Sequence, residues 1–275
     1  MVKIWRDPRA WLLLLVVAVG GPTALADRFV TLASTTSTRD SGFFDFVLPR
    51  FEAKTGIQVR VVAVGTGRAL RLAERGDVDA VLVHDRPSEL AFVAEGHGIA
   101  RREVMYNDFL VIGPSADPAR VRGIGDAAAA FARIAGGRAI FTSRGDDSGT
   151  HKAELRLWKA AGVDARADSG AWYRETGTGM GATLNTASEL EAYLLADRGT
   201  WVSFKNRGDL QILVEGDPRL RNVYSAILVN PARHPHVKSK DAGALVEWLV
   251  SDEGRAAIAA FRLEGMQLFH PLIPE

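Results

Sequence analysis

Apolar and polar residues along this chain switch repeatedly between the period of a strand and the period of a helix. A short extended run at 28–33 leads into five consecutive hydroxyl side chains, Ser34, Thr35, Thr36, Ser37 and Thr38. Phe43, Phe44, Phe46, Val47, Leu48 and Phe51 then recur at helical spacing and stop near Thr55-Gly56. The β-branched run 57–64 predicts a buried strand. Gly65-Thr66-Gly67 is a turn before a helix over 69–74, and 79–84 predicts a further strand. A helix over 89–95 stops at Gly96-His97-Gly98.

The second half repeats the alternation. A long extended run at 104–112 precedes Gly113-Pro114. It is followed by a helix at 127–134, a strand at 138–142, and a helix carrying Leu155, Leu157 and Trp158. A glycine-rich turn at 176–181 opens a helix expected to reach Leu195. A second extended run occupies 223–229, and 242–261 reads as a helix pair broken near Gly254. The alternation predicts an α/β fold with mostly parallel sheets. The two extended runs predict two lobes with the chain crossing between them twice. There is no internal repeat and no low-complexity block.

Residues 1–26 stand outside this pattern. Lys3, Arg6 and Arg9 form a basic region, 11–19 is apolar and uncharged, and Ala24-Leu25-Ala26 is a small-x-small cleavage signal. These features predict a secretory signal peptide cut after Ala26; the apolar run is about half the length of a membrane span. The chain has 275 residues and no cysteine. A protein exported without disulfides or an N-terminal lipid anchor fits a free periplasmic protein that relies on its apolar core. The leader carries three basic residues and one acidic one, so its removal moves the formal charge from +1 to −1. Near-neutrality argues against nucleic acid or a membrane surface as a partner, and leaves anion binding to local geometry.

Candidate chemistry lies where strands run into helices, the position at which α/β sheets bind ligands. Arg144-Gly145-Asp146-Asp147-Ser148-Gly149-Thr150 offers helix-start N–H groups, a glycine for close approach, two hydroxyls and a planar guanidinium. An ordinary capping turn with Arg144 paired to Asp146 or Asp147 would use the same residues. Five hydroxyls at 34–38 exceed the one a cap needs, although Ser37 or Thr38 can cap the Phe-rich helix. Gly65-Thr66-Gly67 and Gly177-Thr178-Gly179-Met180-Gly181 are weaker signals of the same kind. Together the four junctions can converge on one small anion. No Gly-x-Ser-x-Gly elbow, no nucleophile–base arrangement around Ser148 and His151, and no metal spacing among His84, His97, His234 and His236 is present. His234 and His236, beside Pro231 and Pro235, read as a surface loop. Neither a catalytic residue, nor a metal site, nor a cofactor is expected.

At these residues the sequence resembles the tungstate-binding component of tungstate ABC transporters, the TupA family. The matching stretches are LASTTSTRDSG (32–42), VVAVGTGRAL (61–70), GDVDAVLVH (76–84), AEGHG (94–98), MYNDFLVIGP (105–114), SRGDDSGTH (143–151), WYRETGTGMGATL (172–184) and AYLLADRGT (192–200). The resemblance covers nearly all of the chain after the leader. It implies a type II periplasmic-binding-protein fold, with 27–109 and 224–275 forming lobe 1 and 110–223 forming lobe 2, joined by a two-strand hinge. It also implies a monomer that holds tungstate, and molybdate, in the cleft and passes it to a membrane permease and ATPase.

The family motif carries over to Thr36, Ser37, Thr66, Arg144, Ser148 and Thr150, with Gly149 between the last two and Thr38 as an extra contact. Ser34 stands where the family's loop has threonine. The Arg-x-Asp-x-Ser-Gly-Thr pattern is also similar to phosphate-binding proteins, which leaves phosphate as the alternative ligand. A secreted phosphate-ester hydrolase using Arg144 and Ser148 is a more distant alternative. Phosphate keeps a proton near neutral pH and can use a carboxylate acceptor, whereas tungstate has none to give. The direction of Asp146 and Asp147 therefore bears on the ligand.

Overall fold

The computed structural model describes Met1 and residues 28–273. The leader and its cleavage site at Ala26 lie outside the described residues. In chain order the elements are β1 (Phe29–Thr35), α1 (Thr36–Asp40), α2 (Phe43–Thr55), β2 (Gln58–Val64), α3 (Thr66–Glu74), β3 (Ala80–Val83), α4 (Arg86–Ala94) and β4 (Gly98–Pro114). Then come α5 (Ala127–Gly136), β5 (Phe141–Ser143), α6 (Gly149–Ala160), β6 (Tyr173–Glu175), α7 (Met180–Leu190), β7 (Leu194–Asp197), α8 (Arg198–Ser203) and β8 (Leu210–Val214). The chain closes with β9 (Arg221–Val229), α9 (Ser239–Leu249), α10 (Asp252–Ala260), β10 (Arg262–Leu263), β11 (Met266–Gln267) and β12 (His270–Pro271). No helix of the described residues is long and apolar enough to cross a membrane.

Both long extended runs are strands, and they pair with each other. The 17-residue β4 lies antiparallel to β9 along its first part, with Asn107 opposite Asn222 and Asp108 opposite Arg221. Its last residues, Phe109 to Pro114, pair instead with β7 and β8. A single strand thus belongs to two sheet regions. One region runs β12-β4-β9-β3-β1-β2. The expected mostly parallel sheet is a mixed one: β1 is parallel to β2 and β3, but the crossing strands run antiparallel to their neighbours.

Two sets of apolar residues flank the crossing. On one side Val30, Leu32, Phe43, Val47, Phe51, Leu82 and Met105 pack with Tyr224, Leu245, Ile258, Phe261 and Phe269. The C-terminal segment joins α2 here through rings: Phe43 lies 4.7 Å from Phe269 and 5.7 Å from Phe261, centroid to centroid. On the other side Phe131, Phe141, Leu157, Trp158, Trp172, Tyr173 and Tyr193 form an aromatic-rich core. Leu110, Leu184, Leu194 and Trp201 fill a second layer there.

Several expectations need correction. β2 is an edge strand and only partly buried, because nothing pairs with its outer side among the described residues. Ser37 and Thr38 lie inside α1 and do not cap α2, which starts after Gly42 in the left-handed conformation at φ 79°. The strand expected at 138–142 begins only at Phe141, since Arg138 takes a φ of 48°. The helix expected to reach Leu195 stops at Leu190: Glu191 turns left-handed at φ 49°, and Leu194 starts a strand. The break in the last helix pair is at Val250–Ser251, and Gly254 is inside α10. His234 and His236 lie at the surface, where each Nε2 donates to a carbonyl at the end of α3, Glu74 O and Gly76 O.

Candidate functional site

Two helix starts meet head to head. α3 begins after Gly65, which has extended backbone and offers no side-chain cap. α6 begins after Ser148, whose Oγ accepts the His151 N–H at 3.3 Å. The N–H groups of Gly149 and Thr150, like those of Thr66 and Gly67, have no acceptor within their own helices. A Cβ on Gly65 would stand 3.7 Å from Ser148 Cα, so these ends are in contact. Both ends carry positive partial charge, and facing each other they repel. An anion between them turns that repulsion into attraction.

The hydroxyls at this junction show the same thing in side chains. Thr66 and Thr150 are 0% and 1% exposed. Their Oγ1 atoms are buried and find no hydrogen-bond partner among the described residues. A buried hydroxyl without a partner costs about 1–3 kcal/mol. Two such groups, one on each facing helix start, are the mark of a site shaped for a hydrogen-bond acceptor.

The loop from Arg144 to Ser148 is held by its own polar groups. Gly145 and Asp147 both have φ 58°, which folds the loop tightly. The Arg144 side chain is 5% exposed; its Nη2 donates to Asp146 Oδ2 at 2.6 Å and its Nε to Thr178 O at 3.4 Å. The Arg144–Asp146 pair expected of an ordinary capping turn exists, with the guanidinium buried and the carboxylate partly exposed. Asp146 Oδ1 accepts the Ser148 N–H at 3.2 Å. Asp147 turns to solvent, where Arg71 and Lys152 meet its two oxygens at 3.1 and 2.7 Å.

The hydroxyl cluster at the end of β1 borders a cavity that the Thr66–Ser148–Thr150 junction does not line. Thr36 and Ser37 line a cavity of about 400 Å³ with Gly179, Met180, Gly199 and Thr200 across from them. Thr38 is turned inward and its Oγ1 lies 2.7 Å from Thr35 Oγ1. The structure therefore brings Thr66, Ser148, Gly149 and Thr150 together directly. Arg144 ties their loop to the 177–181 turn, Thr36 and Ser37 face that turn, and Thr38 is engaged by Thr35.

Three buried titratable groups were not foreseen as part of this region. His84, just past β3, packs so closely on Gly149 that a Cβ there would overlap its ring. Asn222 donates to Asn107 Oδ1 at 2.7 Å, so its own oxygen faces His84 Nδ1 at 2.9 Å, and Nδ1 carries the proton. Burial pulls the His84 pKa down to about 4, against the Asn222 hydrogen bond and helped by the Arg144 charge, so the ring is neutral at pH 7. Asp197 caps α8 through Thr200 N–H and Oγ1, both at 2.8 Å, and burial raises its pKa. Glu154 on α6 is pushed up to about 7 by burial, opposed by hydrogen bonds with Ser143, Tyr173 and Trp158. His84 and Asp197 both close a strand at its carboxyl end, which is the one sequence signal that marks them.

Residues 20–253 match the PBP superfamily domain. The chain is 44% identical over 246 residues to "Tungstate-binding protein TupA" of Peptoclostridium acidaminophilum, covering 88% of this chain and 85% of that one. The solved structure of the tungstate-binding protein TupA from Desulfovibrio alaskensis G20 superposes with a TM-score of 0.79 at 46% identity, over 90% of this chain and 100% of that one. The structure described as the tungstate ABC transporter from Geobacter sulfurreducens gives a TM-score of 0.76 at 47% identity, over 85% and 98%.

Proposed function

The chain belongs to the TupA family of tungstate-binding proteins within the PBP superfamily, and from that premise we propose that it captures tungstate, and molybdate, for an ABC importer. It has the type II periplasmic-binding fold. In this reading 27–109 with 224–275 form one lobe, 110–223 the other, and the anion lies between them. The protein acts as a monomeric carrier and not as an enzyme. It works in the periplasm after cleavage at Ala26, and its partners are the anion and a membrane permease with its ATPase.

The observation that carries this reading is the pair of buried, unpartnered hydroxyls of Thr66 and Thr150 on facing helix starts. Thr36, Ser37, Ser148 and the N–H of Gly149 add donors, and Arg144 supplies a cation. The two acids of the loop support tungstate over phosphate: Asp146 is turned to Arg144 and to the Ser148 N–H, and Asp147 to Arg71 and Lys152. A hydrogen phosphate calls for a carboxylate acceptor, whereas a fully deprotonated oxyanion needs donors alone.

Calorimetric titration of residues 27–275 with tungstate, molybdate, sulfate and phosphate tests the reading. Tungstate and molybdate should bind and phosphate should not; tight binding of phosphate alone would replace the assignment. Arg144→Ala removes a charge-assisted hydrogen bond of about 1.5–3 kcal/mol. Tungstate affinity should fall about ten- to a hundredfold, with Arg144→Lys recovering part of it because an ammonium lacks the planar fork. Parent-like affinity of Arg144→Ala would show that the site lies elsewhere.

A further inference from the structure

α6 does more than present its first turn. Gly149 and Arg156 are seven residues apart, two helical turns, and so share one face. That face is laid on the corner between β3 and α4. At one end the His84 ring covers Gly149. At the other, the Arg156 guanidinium donates to Asp85 Oδ1. Asp85 is the cap of α4: its Oδ2 accepts the Ser88 N–H at 3.2 Å and the Ser88 hydroxyl as well. Its side chain is 2% exposed, while that of Arg156 is 48% exposed. His84 and Asp85 belong to the part of the chain before the β4 crossing, and Gly149 and Arg156 to the part after it.

A second ion pair, Arg71–Asp147 at 3.1 Å, spans the same divide. Both of its side chains are about half exposed, at 56% and 49%, and Lys152 competes for the same carboxylate at 2.7 Å. Such exposed pairs contribute little. The Asp85–Arg156 pair differs because its carboxylate is buried and held in place by the α4 cap, so little ordering remains when the arginine docks.

We propose that the Asp85–Arg156 ion pair, two helical turns from the anion-facing start of α6, is a clasp that holds the anion cleft shut and sets how slowly the bound oxyanion leaves, without itself touching it; the His84 ring resting on Gly149 supports the same contact from the other end. The inference rests on the transport reading above. Opening the cleft separates α6 from the β3–α4 corner and breaks the pair, so the clasp acts on the step that frees the anion. Entry into an open cleft precedes its formation.

Stopped-flow binding and release of tungstate, followed by tryptophan fluorescence, tests this. Arg156→Ala lies on an exposed helical position and leaves the Asp85 cap intact. It should raise the release rate about tenfold, change the association rate less than about twofold, and weaken affinity in step. Asp85→Asn keeps the cap and removes the charge; combined with Arg156→Ala it should release no faster than Arg156→Ala alone. Lys159→Ala, on the exposed side of the same helix, should behave as the parent. A purely structural role predicts instead that Arg156→Ala lowers the melting temperature equally with and without tungstate, and that result would overturn the clasp. So would a parent-like release rate in Arg156→Ala when the parent binds tungstate. A parent that binds no tungstate would remove the transport reading and this inference together.

Discussion

At the scale of single residues, stability and binding pull apart at Thr66 and Thr150. Each Oγ1 is buried without a partner, so each destabilises the protein as it stands and gains its bond only when an acceptor arrives. Thr→Val keeps the shape and removes the hydroxyl. Thr66→Val and Thr150→Val should therefore leave the ligand-free melting temperature unchanged or higher, while each weakens tungstate binding about tenfold. A lowered ligand-free melting temperature with full affinity would mean that these hydroxyls serve the fold. Two buried titrating groups give the opposite kind of residue effect. Burial holds Glu154 at about 7, above the 4.5 of an ordinary glutamate. The folded chain thus binds that proton more readily, and stability is lost as pH rises from about 4.5 to about 7. His84 is held at about 4, below the ordinary 6.5, so its contribution is present above 6.5 and is lost as pH falls toward 4. Each amounts to about 3 kcal/mol over nearly the same window, with opposite sign. Glu154→Gln removes one of the two. Its urea midpoint should rise with pH between about 4.5 and 6.5 relative to that of the parent; parallel profiles would show that Glu154 does not titrate there. The hydroxyls were legible in the sequence because they cluster at strand ends. Glu154 was not, since a glutamate in an amphipathic helix looks solvent-facing until the fold brings Tyr173 and Trp158 to it.

At the scale of elements, glycine shows where sequence pattern runs out. Gly254 reads as a helix breaker, yet it sits in α10, and the break is made by Ser251 accepting the Gly254 N–H at 3.2 Å. Its lack of a side chain serves packing: a Cβ would overlap the Trp248 carbonyl and lie 2.9 Å from Leu249 Cα, and these backbone atoms cannot swing aside. Helix propensity alone makes Gly→Ala favourable by about 1 kcal/mol. Gly254→Ala should instead destabilise by about 1–3 kcal/mol, whereas Gly243→Ala in α9, whose Cβ would meet only Leu228 Cδ1 at 3.9 Å, should stabilise. Chemical denaturation of both variants decides the matter, and stabilisation of Gly254→Ala would show that α10 can shift away. The long periodic elements, such as α2 with Phe43, Val47 and Phe51, were legible because one face repeats over several turns. The short strands β6, β7 and β8 were missed: three to five residues hold too little pattern, and their pairing partners on β4 and β5 lie far away in sequence.

At the scale of the whole molecule, the two apolar cores are joined by β4 and β9, with Asn107 and Asn222 hydrogen-bonded where the strands cross. The groups proposed to face the anion come from both sides of that crossing: Thr36, Ser37 and Thr66 from one, Arg144, Ser148 and Thr150 from the other. An anion held by both sides binds the folded, closed chain and has no equivalent site in the unfolded one. Its binding energy is then added to the stability of the whole, as RT ln(1 + [L]/Kd). At a hundredfold excess of tungstate over Kd this is about 2.7 kcal/mol. For a chain of this size about 2–4 °C accompanies each kcal/mol, so the melting temperature should rise by about 5–11 °C. Each further tenfold in free tungstate should add about 1.4 kcal/mol more. The rise should keep this logarithmic form and persist at high salt, because near-neutral overall charge leaves little long-range attraction to screen. Differential scanning calorimetry across tungstate concentrations at two ionic strengths measures both features. A rise that vanishes at high salt would place tungstate on an exposed charged surface, and no rise at millimolar tungstate would remove it from the cleft.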